Sequence, residues 1–242
     1  MNKRRFQEIV TKLLPQFGRK LPDHVSEDPF RVLIGCILST RTRDEFTDKA
    51  YGALFAVYPT VEELSAADIE QIAALIKPVN FYKTKAKRVK EAATWILHEY
   101  GGKVPSGRVE LLKVPGIGPK CADIVLSFGF GLDTVAVDTH VEVVAKRLGV
   151  APPDAKYDEI QEKLQQVAAP GTLADLNDLF VAFGQKVCLK HVPKCNICPV
   201  YDYCVWEGKT ARRRQLNSKT HAGTSEKRTK RGSARTQRSA TV

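Results

Sequence analysis

The chain has no apolar run long enough to cross a membrane, because a spanning helix needs about 18 or more apolar residues in succession and no part of the 242-residue sequence reaches that length. The first 17 residues do not have the pattern of a secretory signal, since charges separate apolar residues that share one helical face. The composition also lacks the bias of collagen, mucin or low-complexity chains. These classes are excluded, and with 43% hydrophobic residues the chain can form a real core.

Tandem repeats and strand-like alternation are also absent, whereas helical patterns are frequent. Apolar residues recur at helical spacing in four segments, which cover residues 6–17, 69–76, 89–97 and 173–183. Two pairs, Thr60 with Glu63 and Thr139 with Glu142, match the capping box that begins a helix. We therefore predict an almost entirely α-helical body.

The surplus of positive charge is confined to the end of the sequence. Residues 209–242 contain 11 of the 38 Lys and Arg residues and one of the 27 acidic residues, so this segment has a net charge of +10 and the first 208 residues have +1. Because the segment has few apolar residues, it cannot bury enough surface to offset the entropy of ordering. We predict that residues 209–242 form a disordered basic tail, and that any nucleic-acid face of the body depends on sorted charge.

The six cysteines fall into two groups. Cys36 and Cys121 stand alone in apolar helical contexts and are predicted to be buried free thiols. The other four lie within 17 residues with the spacing C-x6-C-x2-C-x5-C: Cys188, Cys195, Cys198 and Cys204. Disulfides are disfavoured, because nothing marks the chain as secreted and the body is large enough to fold without them. This group therefore indicates a metal site.

Zinc and an iron–sulfur cluster both fit four clustered cysteines. Zinc sites usually hold two close pairs separated by a longer spacer, whereas this loop flanks one C-x2-C pair with two single cysteines. A compact loop of that kind suits a larger cubane, so an iron–sulfur cluster is slightly favoured, and zinc stays open on spacing alone.

Residues 111–120 predict a tight turn between two helices. Gly116 and Gly118 permit positive φ angles and leave backbone N–H groups open, and a helix that begins near Pro119 adds partial positive charge. Such a turn can hold a phosphate without contacting a base edge. Lys120 falls in the first turn of the second helix, where the dipole disfavours its ammonium form, and a neutral amine can act as a nucleophile. From this context alone, a phosphate-binding or solvated lysine is the simpler interpretation.

Asp138 follows the apolar segment Val135–Val137 and precedes a helix. A carboxylate at that position ordinarily caps the helix. The apolar approach predicts that Asp138 is partly buried. Beside a neutral amine, it can stabilise positive charge that develops on a sugar and help to move a proton off Lys120.

Together, these motifs resemble the endonuclease III family, the iron–sulfur branch of the helix-hairpin-helix DNA glycosylases. The resemblance extends from Phe6 to Trp206 and rests on Pro115–Lys120, on Val137–His140 and on the four-cysteine loop, in that order. Three independent motifs make the match specific, whereas the hairpin alone indicates only a DNA-binding module.

The resemblance implies an all-α fold of two helical domains with a DNA-binding cleft between them. One domain, residues 22–132, would be a helical bundle that contains the helix-hairpin-helix motif. The other, residues 1–21 plus 133–208, would carry the iron–sulfur cluster loop. The basic tail of residues 209–242 would follow.

The same resemblance implies roles for particular residues. Lys120 matches the lysine that forms a Schiff base with the sugar, and Asp138 matches the catalytic aspartate. The four clustered cysteines match the ligands of a [4Fe–4S] cluster, which decides between iron–sulfur and zinc. These ligands are Cys188, Cys195, Cys198 and Cys204.

Further residues are expected to contact DNA. Residues 38–44 resemble the loop that enters the duplex near the flipped base, although Arg41 stands where many relatives have Gln. Phe81 matches the wedge that props open the base stack. The full set of predicted DNA contacts is Arg41, Asp44, Phe81, Lys85, Gly116, Gly118, Lys190 and Lys194.

The resemblance implies a base-excision-repair DNA glycosylase with AP lyase activity. It would flip out a damaged pyrimidine, expected to be an oxidised one, cleave the glycosidic bond and nick 3′ to the abasic site. A monofunctional mismatch glycosylase is one alternative, although such relatives usually lack the lysine, and a non-catalytic iron–sulfur DNA-binding protein is another. We expect double-stranded DNA with damaged bases or abasic sites as the partner, no membrane, a monomeric state, and a cytoplasmic location at the nucleoid.

Overall fold

The structure is a computed structural model that describes residues 1–18 and 28–210, and it confirms the all-α fold. These residues contain no β-strand and form eleven α-helices: α1 (Lys3–Phe17), α2 (Pro29–Ser39), α3 (Asp44–Val57), α4 (Val61–Ala66), α5 (Ile69–Leu75), α6 (Tyr82–Tyr100), α7 (Arg108–Leu111), α8 (Pro119–Ile124), α9 (Thr139–Leu148), α10 (Tyr157–Val167) and α11 (Leu173–Lys186). A π-helical turn, Val125–Gly129, continues α8. No helix of the described residues is both long and apolar enough to cross a bilayer.

Five of the eleven helices in the described residues begin at a side chain that caps the backbone: α1, α2, α4, α5 and α9. α2 begins at Pro29 and is capped by Asp28, whose Oδ1 accepts from the backbone N–H of Phe30 at 2.9 Å. The predicted capping box of Thr60 and Glu63 is confirmed at α4, with both reciprocal hydrogen bonds at 3.2 Å. Such caps satisfy backbone donors that the helix itself leaves unpaired.

The second predicted capping box is wrong, because α9 is capped one residue earlier. Its N-cap is Asp138 rather than Thr139, and Glu142 forms an ion pair with Lys146 at 2.6 Å. An ion pair four residues apart on a helix contributes only about 0.3–0.5 kcal/mol. The start of α9 therefore depends on the Asp138 carboxylate.

The described residues belong to one compact unit that contains two hydrophobic core clusters. Residues 30–126 supply the first cluster. Residues 6–17 and 135–200 supply the second, and α1 joins it through edge-to-face contacts between its aromatic rings and those of α11. The first cluster ends before the predicted boundary between residues 132 and 133, and the later part of the second cluster begins after it. The division into two domains stays a prediction.

The two remaining predicted boundaries, between residues 21 and 22 and between residues 208 and 209, lie outside the described residues or near their end. The boundary between residues 21 and 22 and most of the predicted tail lie outside the described residues. Lys209, which was assigned to the tail, differs from the prediction: its Nζ donates to the carbonyl of Cys204 at 2.8 Å and lies 4.8 Å from the ring centre of Tyr201. Lys209 therefore packs with the four-cysteine loop.

Candidate active site

Lys120 and Asp138 line the same cleft, which has a volume of about 640 Å³. α8 supplies Lys120 and the N-cap of α9 supplies Asp138, while apolar lining residues come from both core clusters. A larger cavity of about 1170 Å³ lies beside Trp206, but it contains neither residue. Chemistry rather than volume therefore identifies the candidate site.

The hairpin between α7 and α8 brings Lys120 to the cleft. Gly116 adopts a φ of +83°, and a Cβ added there would lie 3.2 Å from the Cδ of Arg88. Gly118 instead is the N-cap of α8 with a φ of −107°, and its backbone N–H contacts the thiol of Cys121. Gly116 therefore adopts the positive φ that glycine permits, whereas Gly118 does not, and the contact of these two glycines with DNA stays a prediction.

Lys120 is the second residue of α8, after Pro119 at the first helical position. Proline is favoured there because its fixed φ suits a helix and the missing N–H would have no partner. The Lys120 side chain is exposed, so its amine is open to a substrate in the cleft. The helix then continues into the π-helical turn, a feature that is frequent at functional sites.

Asp138 is held by the backbone that it caps. A single oxygen, Oδ1, accepts from the backbone N–H groups of His140 and Val141, both at 2.8 Å. Within the described part of the chain, no hydrogen bond reaches the other carboxylate oxygen, which leaves Oδ2 available to a ligand. Asp138 is half-buried, as the apolar approach predicts.

The three residues that precede Asp138 are each fixed by a different side chain. In chain order, the first two carbonyls accept from the side-chain amides of Gln161 at 2.8 Å and Asn177 at 2.6 Å, and the third residue's N–H donates to the hydroxyl of Tyr157 at 3.1 Å. None of these three side chains was identified from the sequence. They preorganise the carboxylate before any substrate binds.

Tyr157 also connects this segment to the helix that carries Lys120. Its hydroxyl donates to Oδ2 of Asp123 at 2.7 Å, and buried Asp123, in the same helix as Lys120, accepts from Nε of Arg108 at 3.0 Å. Burial raises the pKa of the Tyr157 phenol above its ordinary value, which keeps it a neutral donor. A continuous hydrogen-bonded path therefore joins α8 to the residue before Asp138.

Two loops hold side chains in strained backbone conformations. Arg41, with φ +55°, and Phe81, with φ +58°, are the only non-glycine residues with positive φ in residues 1–18 and 28–210. Each such residue costs roughly 1–3 kcal/mol, and such strain clusters at functional sites. Arg41 is exposed and lines the cleft together with exposed Asp44, and Phe81 is 63% exposed, as a wedge requires.

Lys85 does not occupy the position that its charge pattern predicts. It is 3% exposed, and its Nζ donates to the carbonyls of Leu38 and Thr40 at 2.6 and 2.8 Å and to Oγ1 of Thr42 at 2.8 Å. All three ammonium donors therefore have acceptors within the protein. The predicted contact between Lys85 and DNA is wrong for this structure, because the ammonium group is buried.

The four clustered thiols line one small cavity: Cys188, Cys195, Cys198 and Cys204. Burial raises the pKa of Cys198 to about 11 and also raises that of Cys188. Four sulfurs that face one space form a donor set suited to iron or zinc, and a bound positive centre would offset the cost of forming buried thiolates. The four thiols supply the donor type of a metal site without its geometry, because no group of three or more His, Cys, Asp or Glu side chains among the described residues is arranged so that it could hold a metal ion.

Arg147 joins the two ends of the four-cysteine loop. Its guanidinium donates to the carbonyls of Leu189 and Lys190 at 2.9 and 2.7 Å and lies 4.0 Å from the ring centre of Trp206. The side chain is 8% exposed. Lys190 and Lys194 are both exposed on this loop, so the structure leaves these two predicted phosphate contacts accessible.

Comparison with known proteins agrees with this geometry. Residues 34–170 match the model of the HhH-GPD superfamily of base excision DNA repair proteins. The chain is 39% identical to endonuclease III of Thermotoga maritima over 198 residues, which cover 82% of this chain and 91% of that protein. It is 30% identical to endonuclease III of Escherichia coli K12 over 209 residues, which cover 86% and 99%.

Solved structures show the same fold. A trapped covalent intermediate of endonuclease III with DNA superposes with a TM-score of 0.75 at 30% identity and covers 85% of this chain and 96% of that one. A thermostable thymine-DNA glycosylase superposes with a TM-score of 0.76 at 26% identity and covers 84% and 96%.

The helical fold, the hairpin and the cleft with its lysine and aspartate define a base excision DNA repair protein of the HhH-GPD superfamily. Within that superfamily the chain belongs to the endonuclease III family, and it is a DNA glycosylase.

Proposed function

We propose that the chain is a bifunctional glycosylase, which releases an oxidised pyrimidine from duplex DNA and then cuts the strand as an AP lyase. The observation that carries this proposal is the shared cleft of Lys120 and Asp138. A primary amine that is exposed in a cleft can attack a sugar carbon, and a fixed carboxylate can stabilise the positive charge that develops. One chain supplies both groups, so we propose that it acts as a monomer.

The chemistry follows from these two side chains. The damaged nucleotide leaves the stack, and the lone pair of Lys120 Nζ attacks C1′ while the glycosidic bond breaks. The base departs with the bonding electrons and takes up a proton. The C1′–O4′ bond then breaks with its electrons on O4′, which takes up the proton that Asp138 received from Lys120, and a protonated imine forms between Nζ and C1′. The imine acidifies C2′, so loss of a C2′ proton expels the phosphate from C3′ by β-elimination.

Asp138 serves both stages of this scheme. Its charge stabilises the cationic sugar, and its carboxylate receives the proton that Lys120 loses. Because cap bonds and three neighbouring side chains already fix its segment, little reorganisation is needed during the reaction. Arg41 and Phe81 would enter the duplex beside the flipped nucleotide, and Gly116, Lys190 and Lys194 would contact phosphates.

The test uses a panel of duplexes that carry an oxidised pyrimidine, a photodimer, a G·T mismatch or an abasic site. We expect the wild-type enzyme to release the oxidised pyrimidine and to become covalently attached to that duplex, and to the abasic one, when borohydride is present. Base release without any covalent product would support the monofunctional alternative. The structural similarity to a thymine-DNA glycosylase is the reason to test that alternative. Specific lesion binding without base release would support a non-catalytic DNA-binding protein.

We further propose that the four-cysteine loop holds a [4Fe–4S] cluster through Cys188, Cys195, Cys198 and Cys204. The support is the donor set: four sulfurs on one short loop around a common cavity. When bound, the cluster would cross-link the loop through iron–sulfur bonds. Arg147 would then hold the start of the four-cysteine loop against Trp206, which follows its last cysteine. This contact would keep Lys190 and Lys194 on the side of the loop that faces DNA.

The purified protein is therefore expected to be yellow-brown, with about four irons and four sulfides per chain and no stoichiometric zinc. Cys195→Ser should lower the yield of soluble protein more than the rate of base release by the protein that remains soluble, because the cluster shapes the loop. Cys121→Ser, which changes a cysteine outside the loop, should leave the iron content unchanged. Colourless, zinc-loaded protein with full activity would contradict the assignment.

A further inference from the structure

Lys85 and Asn80 connect the loop of Arg41 to the turn of Phe81. Lys85 Nζ contacts three acceptors in residues 38–42, as described above. Asn80 Nδ2 donates to the carbonyl of Arg41 at 2.6 Å, and the backbone N–H of Asn80 donates to Oγ1 of Thr42 at 3.2 Å. These bonds span 38 to 47 residues of sequence, so they join two separate segments of the fold.

The bonds converge on the two strained residues. The carbonyl of Arg41 is itself an acceptor, and Asn80 immediately precedes Phe81. A non-glycine residue in the left-handed region persists only when its surroundings over-determine the conformation. Here, the surrounding bonds come from the other strained loop, so each loop holds the conformation of its neighbour.

The ammonium group of Lys85 is costly to bury. Its three acceptors are two carbonyls and a hydroxyl, and no carboxylate of the described residues forms an ion pair with it. Burial, together with the smaller effect of the nearby Arg88 charge, lowers the pKa of Lys85 to about 8. A charge buried without a counter-ion is rare in a purely structural position, and an apolar side chain of similar length would fill the same space at lower cost.

We infer that Lys85 and Asn80 are positioning residues that join the two loops into one rigid unit, so that Arg41 and Phe81 enter the duplex together. The inference rests on the proposed function, in which these two side chains enter DNA beside the flipped nucleotide. If either loop moved alone, one side chain would enter while the other still had to be ordered, at an entropic cost during catalysis. We call the hydrogen bonds of Lys85 and Asn80 to residues 38–42 the clamp. The clamp fixes the Arg41 and Phe81 side chains before the protein binds DNA.

A double-mutant cycle between Lys85→Met and Phe81→Ala tests this inference. The rate of single-turnover base release at saturating enzyme is measured on the best lesion duplex. Each single variant is expected to be slower by about tenfold. If Lys85 acts through Phe81, the double variant should be about as slow as the slower single one, whereas independent effects would multiply to about 100-fold. Multiplied effects would overturn the inference.

A second readout reports on the DNA itself. 2-Aminopurine placed opposite the lesion fluoresces more strongly when the stack opens, before any bond breaks. Lys85→Met is expected to lose most of the fluorescence rise that wild-type protein produces, although it binds the duplex. A full rise with Lys85→Met would contradict the positioning role, because the side chains would then still enter together.

Lys90→Met is the matched control. Lys90 lies on the same helix, α6, and its Nζ donates to the carbonyl of Ala67 at 2.6 Å, but it contacts neither loop. We expect its loss to change thermal stability and not base release. If Lys85→Met does not fold, Asn80→Ala replaces it in the same cycle, since Asn80 is exposed. Wild-type protein that releases no base would refute the proposed function, whereas active wild type with multiplied effects refutes only the clamp.

Discussion

Replacing Lys120 with alanine is expected to abolish the covalent product that borohydride traps on DNA. Only a primary amine can form the imine that borohydride reduces. Lys120 is exposed and forms no hydrogen bond or ion pair with another described residue, so its removal leaves no buried group unsatisfied. The fold should therefore remain, as measured by the circular dichroism and the melting temperature, while trapping falls to background.

Lys113→Ala is the control for this experiment. Lys113 is an exposed lysine of the same hairpin region that does not line the cleft. Its loss is expected to weaken affinity at most, through a phosphate contact, and to leave trapping at saturating enzyme unchanged. Covalent trapping that persists in Lys120→Ala would mean that another amine, such as the chain's α-amino group, performs the attack.

Helix positions were predictable because periodicity and caps act within a few residues. The box at Thr60 and Glu63 needed nothing beyond four residues of sequence. The box at Thr139 and Glu142 has the same letters but fails, since Asp138 stands one residue earlier with an extended backbone and a carboxylate. Tertiary bonds to the segment before Asp138 fix that choice, and a local pattern does not contain them.

At Lys85, two signals in the sequence conflict. The surrounding basic residues predict a phosphate contact, whereas helical spacing places Lys85 on the same face as buried Val89. Periodicity prevails, because burial of α6 is decided by its apolar stripe. Lys83 and Lys87 fall on the opposite side and are exposed. A basic run therefore indicates a DNA-facing surface only for those members that lie off the apolar face.

The side chains that hold the Asp138 segment could be suspected, but their partners could not be identified. Asn177 lies on the apolar face of α11, between Leu173 and Phe180, and a polar residue in such a place signals a buried hydrogen bond. Its acceptor is 41 residues away. Which backbone group it meets depends on how α11 packs against α9, and no pattern in a single sequence fixes that distance.

Asp138→Asn is expected to slow base release by about 10²–10³-fold, through loss of the negative charge that stabilises the cationic sugar. Stability should hardly change, because asparagine is as good an N-cap as aspartate and its side-chain oxygen can accept the same two bonds from His140 and Val141. Asp138→Ala should lose the rate and also about 1 kcal/mol of stability, since the cap is removed as well. The comparison separates the charge from the cap.

Asp133→Asn provides the control, because Asp133 also accepts from two backbone N–H groups, those of Gly171 at 2.6 Å and Leu173 at 3.0 Å, but does not line the cleft. It should retain the wild-type rate. Single-turnover base release and thermal melting are measured for all three variants under identical conditions. A wild-type rate for Asp138→Asn would show that the carboxylate serves only as a cap, and the charge that stabilises the sugar would then have to come from another group in the cleft. Asp44, which is exposed in the same cleft, would be the first residue to replace.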